Sequence, residues 1–138
     1  MDFKKLQLIF YSLVGGQVLF AGVVFFMLQN QQEFADIPYF SIIVPAAVLG
    51  GAFVGYYLNN QLLISAAEQK TEEDQLMHYR RRVILRLALT EVGNLVALMG
   101  ALLTGKITFF LFFALGMAIF FYFRPRLVEM ANDYPPVK

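Results

Sequence analysis

A single carboxylic acid, Glu91, lies in the middle of an apolar stretch that extends from residue 83 to residue 103. As a helix this stretch would be about 31 Å long, close to the thickness of the hydrocarbon core of a membrane. Glu91 would lie about 12 Å below the surface at which the helix enters the membrane. An ionisable side chain at that depth is energetically costly, so Glu91 is a candidate functional residue.

Polar residues near Glu91 could complete a binding site. Arg86, Thr90 and Asn94 repeat every four residues and therefore share one face of the predicted helix. Asn94 is also within one helical turn of Glu91, and Gln17 lies at a comparable depth in an earlier apolar run. In one interpretation, these five side chains bind and release a proton or a cation, with Glu91 as the titrating group. In the other, Glu91 forms a hydrogen bond with Gln17 or Thr90, or an ion pair with an arginine, and only fixes the helix register.

Residues for other kinds of chemistry are scarce. The chain of 138 residues has no cysteine and one histidine, His78, which excludes disulfides and thiolate chemistry and argues against a metal site. It also lacks a pair of catalytic acids, a nucleophile with its base and a phosphate-binding glycine loop. We therefore expect no enzymatic activity, no metal and no cofactor. The net charge of +1 gives no basic field for nucleic acid.

The elements that position these residues are long apolar blocks. The chain is 59% hydrophobic and 15% charged, with a mean hydropathy of +0.60. The blocks predict membrane spans over residues of about 6–28, 39–58, 83–103 and 107–123, with a short cytoplasmic tail at 124–138. The predicted fold is an all-α integral membrane protein with a single domain. It is an antiparallel bundle of four transmembrane helices, with a cytoplasmic helical hairpin between spans two and three.

Local signals place several helix ends. The second helix is expected to continue past the membrane surface to about Ala67. Thr71 is the predicted N-cap of the third helix, with Asp74 three residues on and acids in the first turn. The Arg-Pro-Arg motif at residues 124–126 ends the fourth helix. Two consecutive prolines at residues 135–136 indicate an extended end.

The positive charges predict the orientation. Of the 11 Lys and Arg residues, only Lys106 falls on one side of the four-span arrangement. The others fall on the opposite side, at Lys4, Lys5, Lys70, Arg80, Arg81, Arg82, Arg86, Arg124, Arg126 and Lys138. Positive residues favour the cytoplasmic side, so both termini and the hairpin should be cytoplasmic. This pattern suggests an inner (plasma) membrane of the bacterial type.

Small residues recur every four positions on two of the predicted spans. They are Ala47, Gly51 and Gly55 on the second span, and Gly93, Ala97 and Ala101 on the third. Such rows let helix backbones approach closely in lipid. We predict that spans two and three pack against each other through these rows. Self-association between chains is the alternative.

The segment from Leu87 to Leu98, which includes Thr90, Glu91 and Asn94, resembles the acid-bearing helix of the proton-ring subunit c of rotary ATP synthases. The resemblance covers about residues 45–104, in the order of a small-residue helix, a cytoplasmic loop and a helix with a mid-membrane acid. It implies that Glu91 is a proton-binding carboxylate. The dense glycine repeat of that family is reduced here, and two further spans have no counterpart.

We expect a small non-enzymatic membrane protein that acts through helix–helix contacts, as a subunit or assembly partner of a larger membrane complex. Its expected partners are the lipid bilayer and either a second copy or other membrane subunits. The alternative is proton- or cation-coupled transport centred on Glu91.

Overall fold

The computed structural model describes residues 3–30, 34 and 36–137. All regular structure in these residues is helical: α1 (Phe3–Asn30), α2 (Phe40–Leu63), a short 3₁₀ turn (Ala66–Glu68), α3 (Glu72–Thr104), α4 (Thr108–Tyr122) and α5 (Leu127–Asp133). Lys138, one of the ten basic residues predicted to share a side, lies outside the described residues.

Both ends of α3 follow from local chemistry. At its start, the Thr71 hydroxyl accepts a hydrogen bond of 3.1 Å from the backbone N–H of Asp74, which confirms the predicted N-cap. At its end, Gly105 adopts a left-handed φ of 70°, and its N–H donates to the carbonyl of Ala101. Glycine occupies this conformation without steric strain, so the helix can end sharply there.

Two segments differ from the sequence prediction. The α-helical part of α2 ends at Leu63, earlier than the predicted end near Ala67, and the helical path continues to Glu68 as the 3₁₀ turn. At this transition the Ser65 hydroxyl donates to the Leu62 carbonyl at 2.9 Å. The C-terminal tail, expected only to be short and extended, contains the helix α5, after which Tyr134 is extended and residues 135–137 have no regular structure. The predicted end of α4 before the Arg-Pro-Arg motif is confirmed.

Helix α3 is the centre of the fold and packs against α1, α2 and α4. Its buried face runs through two apolar clusters. The first joins the start of α1 and the end of α4 to the first half of α3, through residues such as Leu6, Phe120 and Leu87. The second joins the end of α1 and the start of α2 to the second half of α3, through residues such as Val24 and Val48.

Helices α2 and α3 approach each other closely at their glycines. A Cβ atom added to Gly51 would lie 2.5 Å from the carbonyl oxygen of Leu89, and one added to Gly93 would lie 2.5 Å from that of Ala47. A Cβ atom on Gly55 would lie 3.1 Å from the carbonyl oxygen of Arg86. The order of these contacts is reversed along the two helices, so α2 and α3 run in opposite directions.

In the part of the chain that the structure describes, three helices are long and apolar enough to cross a membrane: α1, the segment from α2 to the 3₁₀ turn, and α3. A fourth candidate is α4 taken together with α5, which are bent by 56° relative to each other. The outer surface is rich in large apolar side chains, and examples on three different helices are Leu19, Phe53 and Leu111. Such a surface is typical of helices that face lipid.

Candidate functional site

Glu91 lies at the outer edge of α3. It is partly exposed, and its neighbours on the outer face of the helix, Ala88, Val92 and Leu95, are exposed and apolar. The Glu91 carboxyl group makes no hydrogen bond or ion pair with any residue that the structure describes. The carboxyl group is therefore open to whatever covers this face of the helix.

The other predicted members of the site point inward, away from Glu91. Asn94 and Gln17 are buried, and the Asn94 side-chain amide donates to Gln17 Oε1 at 2.8 Å across the contact between α1 and α3. The Thr90 hydroxyl donates to the backbone carbonyl of Arg86 at 2.9 Å. The structure thus brings Gln17 and Asn94 together but leaves Glu91 outside the group.

The Gln17–Asn94 pair fits a narrow space between helices. A Cβ atom at Gly116 of α4 would collide with Asn94 Oδ1, so only glycine leaves room for the Asn94 side chain. Gln17 Nε2 and Asn94 Oδ1 have no hydrogen-bond partner among the described residues. Interhelical hydrogen bonds of this kind contribute about 0.6 kcal/mol on average in membranes. The pair therefore fixes the relative register of α1, α3 and α4 more than it stabilises them.

The most extensive polar arrangement surrounds Arg82 and Arg86 near the start of α3; we call it the arginine cluster. Arg82 pairs with Asp133 at 3.0 Å, and Arg86 pairs with Glu129 at 2.8 Å. Both arginines also donate to Asn59 Oδ1 of α2, at 3.1 and 3.2 Å. Their side chains are almost fully buried, with 1% and 3% exposure. The cluster therefore ties α5 and the end of α2 to α3.

The arginine cluster extends through neighbouring polar side chains. Arg86 Nε donates to the carbonyl of Phe123 at 2.9 Å. This hydrogen bond satisfies a backbone carbonyl at the C-terminal end of α4. Tyr134, the residue after α5, forms a 2.6 Å hydrogen bond with His78 Nδ1, and His78 Nε2 is 2.9 Å from the Ser65 hydroxyl. The Gln75 amide donates to the Pro135 carbonyl at 2.7 Å. The chain end is thus held at several points along the first turns of α3.

Electrostatics fix the protonation states in this cluster. Burial alone would raise the pKa of the Glu129 carboxyl, but the hydrogen bond and charge of Arg86 outweigh burial and lower it. Burial raises the pKa of the Tyr79 hydroxyl to about 12, and its hydrogen bond to Glu129 adds to the shift. Tyr79 is therefore neutral and donates to the ionised Glu129, at 2.6 Å. Burial lowers the pKa of His78, and the positive charges of Arg82 and Arg81 act in the same direction.

Arg86 was a candidate from the sequence, but its acid partner Glu129 and the rest of the arginine cluster were not predicted. One signal was available: Arg82 and Arg86 are four residues apart, and so are Glu129 and Asp133. Two such pairs with reversed order match two helices that lie side by side in opposite directions. Each of the two buried arginines of the cluster is paired with an acid of α5, which is typical of ion pairs with a structural role.

No known protein family, curated protein or solved structure matches this chain. The resemblance to subunit c of rotary ATP synthases therefore stays a prediction.

Proposed function

We propose that this chain is a non-enzymatic integral membrane protein that acts through helix–helix contacts, as a subunit or assembly partner of a larger membrane complex. The observation that carries the proposal is Glu91, an acid in an apolar stretch that has no partner among the described residues. An acid in lipid is stable only when it is neutralised, hydrated or paired. A donor or cation on a neighbouring helix, from another subunit or a second copy, would meet that requirement.

The proposed membrane arrangement is a four-span antiparallel bundle with both termini and the α2–α3 hairpin in the cytoplasm. It is supported by the two apolar clusters, which join opposite ends of consecutive helices. The first cluster lies at the end where the basic residues gather, whereas Lys106 follows α3 at its far end. The charge pattern of an inner membrane of the bacterial type would then place this end inside.

Site-specific photo-crosslinking in intact membranes tests the proposed contact. A photoreactive phenylalanine analogue at Leu95, one turn beyond Glu91 on the outer face, should crosslink to a discrete protein partner. The same probe at Leu19 of α1, which is 73% exposed, should yield mainly lipid adducts. E91L should abolish the protein adduct at Leu95. Lipid adducts alone at Leu95 would contradict the proposal.

Proton- or cation-coupled transport centred on Glu91 is the second candidate. It is favoured by the partial exposure of Glu91 on the outer face. No side chain in the described part of the chain forms a hydrogen bond with Glu91 that would hold its proton in place. E91Q preserves the shape of the side chain and removes the titrating group. Under the transport hypothesis, E91Q should fold and assemble normally but lose function, and a hydrophobic carbodiimide should label Glu91. A fully active E91Q variant would exclude this candidate.

A further inference from the structure

A groove of about 400 Å³ lies on the outer face of α3. Its lining residues are Met77, Arg80, Arg81, Ile84, Leu85 and Ala88. Met77, Arg80 and Arg81 line the end nearer the start of α3, which we call the arginine end, and Ile84, Leu85 and Ala88 line the other, apolar end. The residues of the apolar end lie within the apolar stretch that begins at residue 83, whereas the arginines precede it. The groove therefore crosses the level at which the helix would enter the membrane.

The guanidinium groups of Arg80 and Arg81 are available for a ligand. Both residues are exposed and form no hydrogen bond or ion pair with the described residues. The positions three and four residues before and after each of them hold no acid that could pair with it along the helix. Arg82 and Arg86 differ in this respect, because both turn inward and pair with acids of α5.

We propose that this groove binds an anionic phospholipid. Arg80 and Arg81 would hold the phosphate, since guanidinium groups donate several hydrogen bonds to phosphate oxygens. An acyl chain would lie against Ile84, Leu85 and Ala88. The basic residues at the cytoplasmic surface would face the anionic headgroup, and the apolar helix surface that continues from them would face the acyl chain. The inference rests on the membrane insertion proposed above.

The charge complementarity favours a lipid over a free anion. From Arg81 to Ala88 the helix rises about 10 Å, which is enough to cover the upper part of an acyl chain beneath its headgroup. A soluble phosphate would use only the arginine end and would leave the apolar end uncovered. The groove combines both ends, so the ligand that fits it is the intact phospholipid.

Native mass spectrometry of the full chain in mild detergent tests the proposal, with phosphatidylglycerol and phosphatidylcholine as probes. The wild type should retain phosphatidylglycerol in preference to phosphatidylcholine. Each basic side chain near an anionic lipid contributes about a fivefold preference, so R80Q/R81Q should weaken the binding of phosphatidylglycerol about twenty-five-fold. A88F fills the apolar end and should weaken binding while both arginines remain.

Two controls separate this proposal from its alternatives. R124Q removes an exposed arginine at the same end of the molecule but outside the groove, and it should bind phosphatidylglycerol like the wild type. E91L should also bind normally, so that loss of assembly and loss of lipid remain distinguishable. Equal retention of both lipids, or equal weakening by R124Q and R80Q/R81Q, would overturn the proposal. The proposal would also be overturned if A88F bound phosphatidylglycerol as well as the wild type does and inorganic phosphate displaced the lipid. That result would indicate a site for phosphate alone.

Discussion

Gly50 and Gly51 are adjacent in α2 but differ in their surroundings, which provides a matched test of the packing between α2 and α3. A Cβ atom on Gly51 would lie 2.5 Å from the Leu89 carbonyl oxygen, whereas one on Gly50 would meet nothing within 4 Å. The obstacle at Gly51 is helix backbone, which cannot rotate away as a side chain can. To accommodate alanine, the helices must separate by about 1 Å to restore van der Waals distance.

The expected effects of the two substitutions have opposite signs. Alanine is favoured over glycine in a helix interior by roughly 0.5–1 kcal/mol, so G50A should be neutral or slightly stabilising. G51A gains the same helix propensity but suffers overpacking, which typically costs about 1–3 kcal/mol. The unfolding free energy of G51A should therefore lie about 1–3 kcal/mol below that of G50A.

Unfolding in mixed micelles with increasing denaturing detergent, followed by helical circular dichroism, measures this difference. Both variants keep the composition and charge of the wild type almost unchanged, so micelle effects should cancel between them. Equal unfolding midpoints for G50A and G51A would refute the close contact at Gly51. A G50A variant less stable than G51A would show that the other face of α2 is the packed one.

Three further predictions concern the polar contacts. R86A should lower the unfolding free energy by about 3 kcal/mol, because it removes the buried ion pair with Glu129 and the hydrogen bonds to Asn59 and Phe123. The exposed R124A should change it by less than about 0.5 kcal/mol in the same denaturation assay. Because the pKa of Glu129 is lowered in the folded protein, its carboxylate stabilises the fold fully above the ordinary pKa of 4.5, and this stabilisation is lost as the pH falls through the lowered value. In melting curves recorded over a series of pH values, E129Q should therefore show a smaller loss of stability at acidic pH than the wild type. N94L should lower the unfolding free energy by about 1 kcal/mol, because it removes the hydrogen bond to Gln17. If the double variant Q17L/N94L is no less stable than N94L, the two side chains are energetically coupled.

The helical fold and several helix ends could be predicted from the sequence because they depend on local chemistry. Apolar runs identify long helices without reference to the rest of the chain. The Thr71 cap and the end of α4 likewise depend on a few neighbouring residues. The change from α-helix to a 3₁₀ turn after Leu63 was not predicted; the Ser65 hydroxyl bonds to the Leu62 carbonyl at this point.

The polar contacts were harder to predict because they join distant parts of the chain. Arg82 and Asp133 are 51 residues apart in sequence, and hydropathy does not indicate that a short tail folds back as a helix. The orientation of Glu91 was within reach of simple geometry. Each residue turns a helix by about 100°, so Glu91 points well away from Thr90 even though the two are adjacent. Periodicity correctly grouped Arg86, Thr90 and Asn94 on one face, and the structure shows this face to be buried.

The central claim is that a partner covers Glu91 in the membrane, and the mass of the complex extracted in mild detergent tests it most directly. Glu91 makes no hydrogen bond or ion pair with the residues that the structure describes, so E91L should leave the melting temperature of the isolated chain unchanged or raise it. E73L is the matched control, because Glu73 is exposed and lies five helical turns earlier on the same face of α3. We predict a complex larger than one chain for the wild type and E73L, and a single chain for E91L with normal stability. A wild-type mass equal to one chain, or an E91L complex of unchanged mass, would contradict the claim.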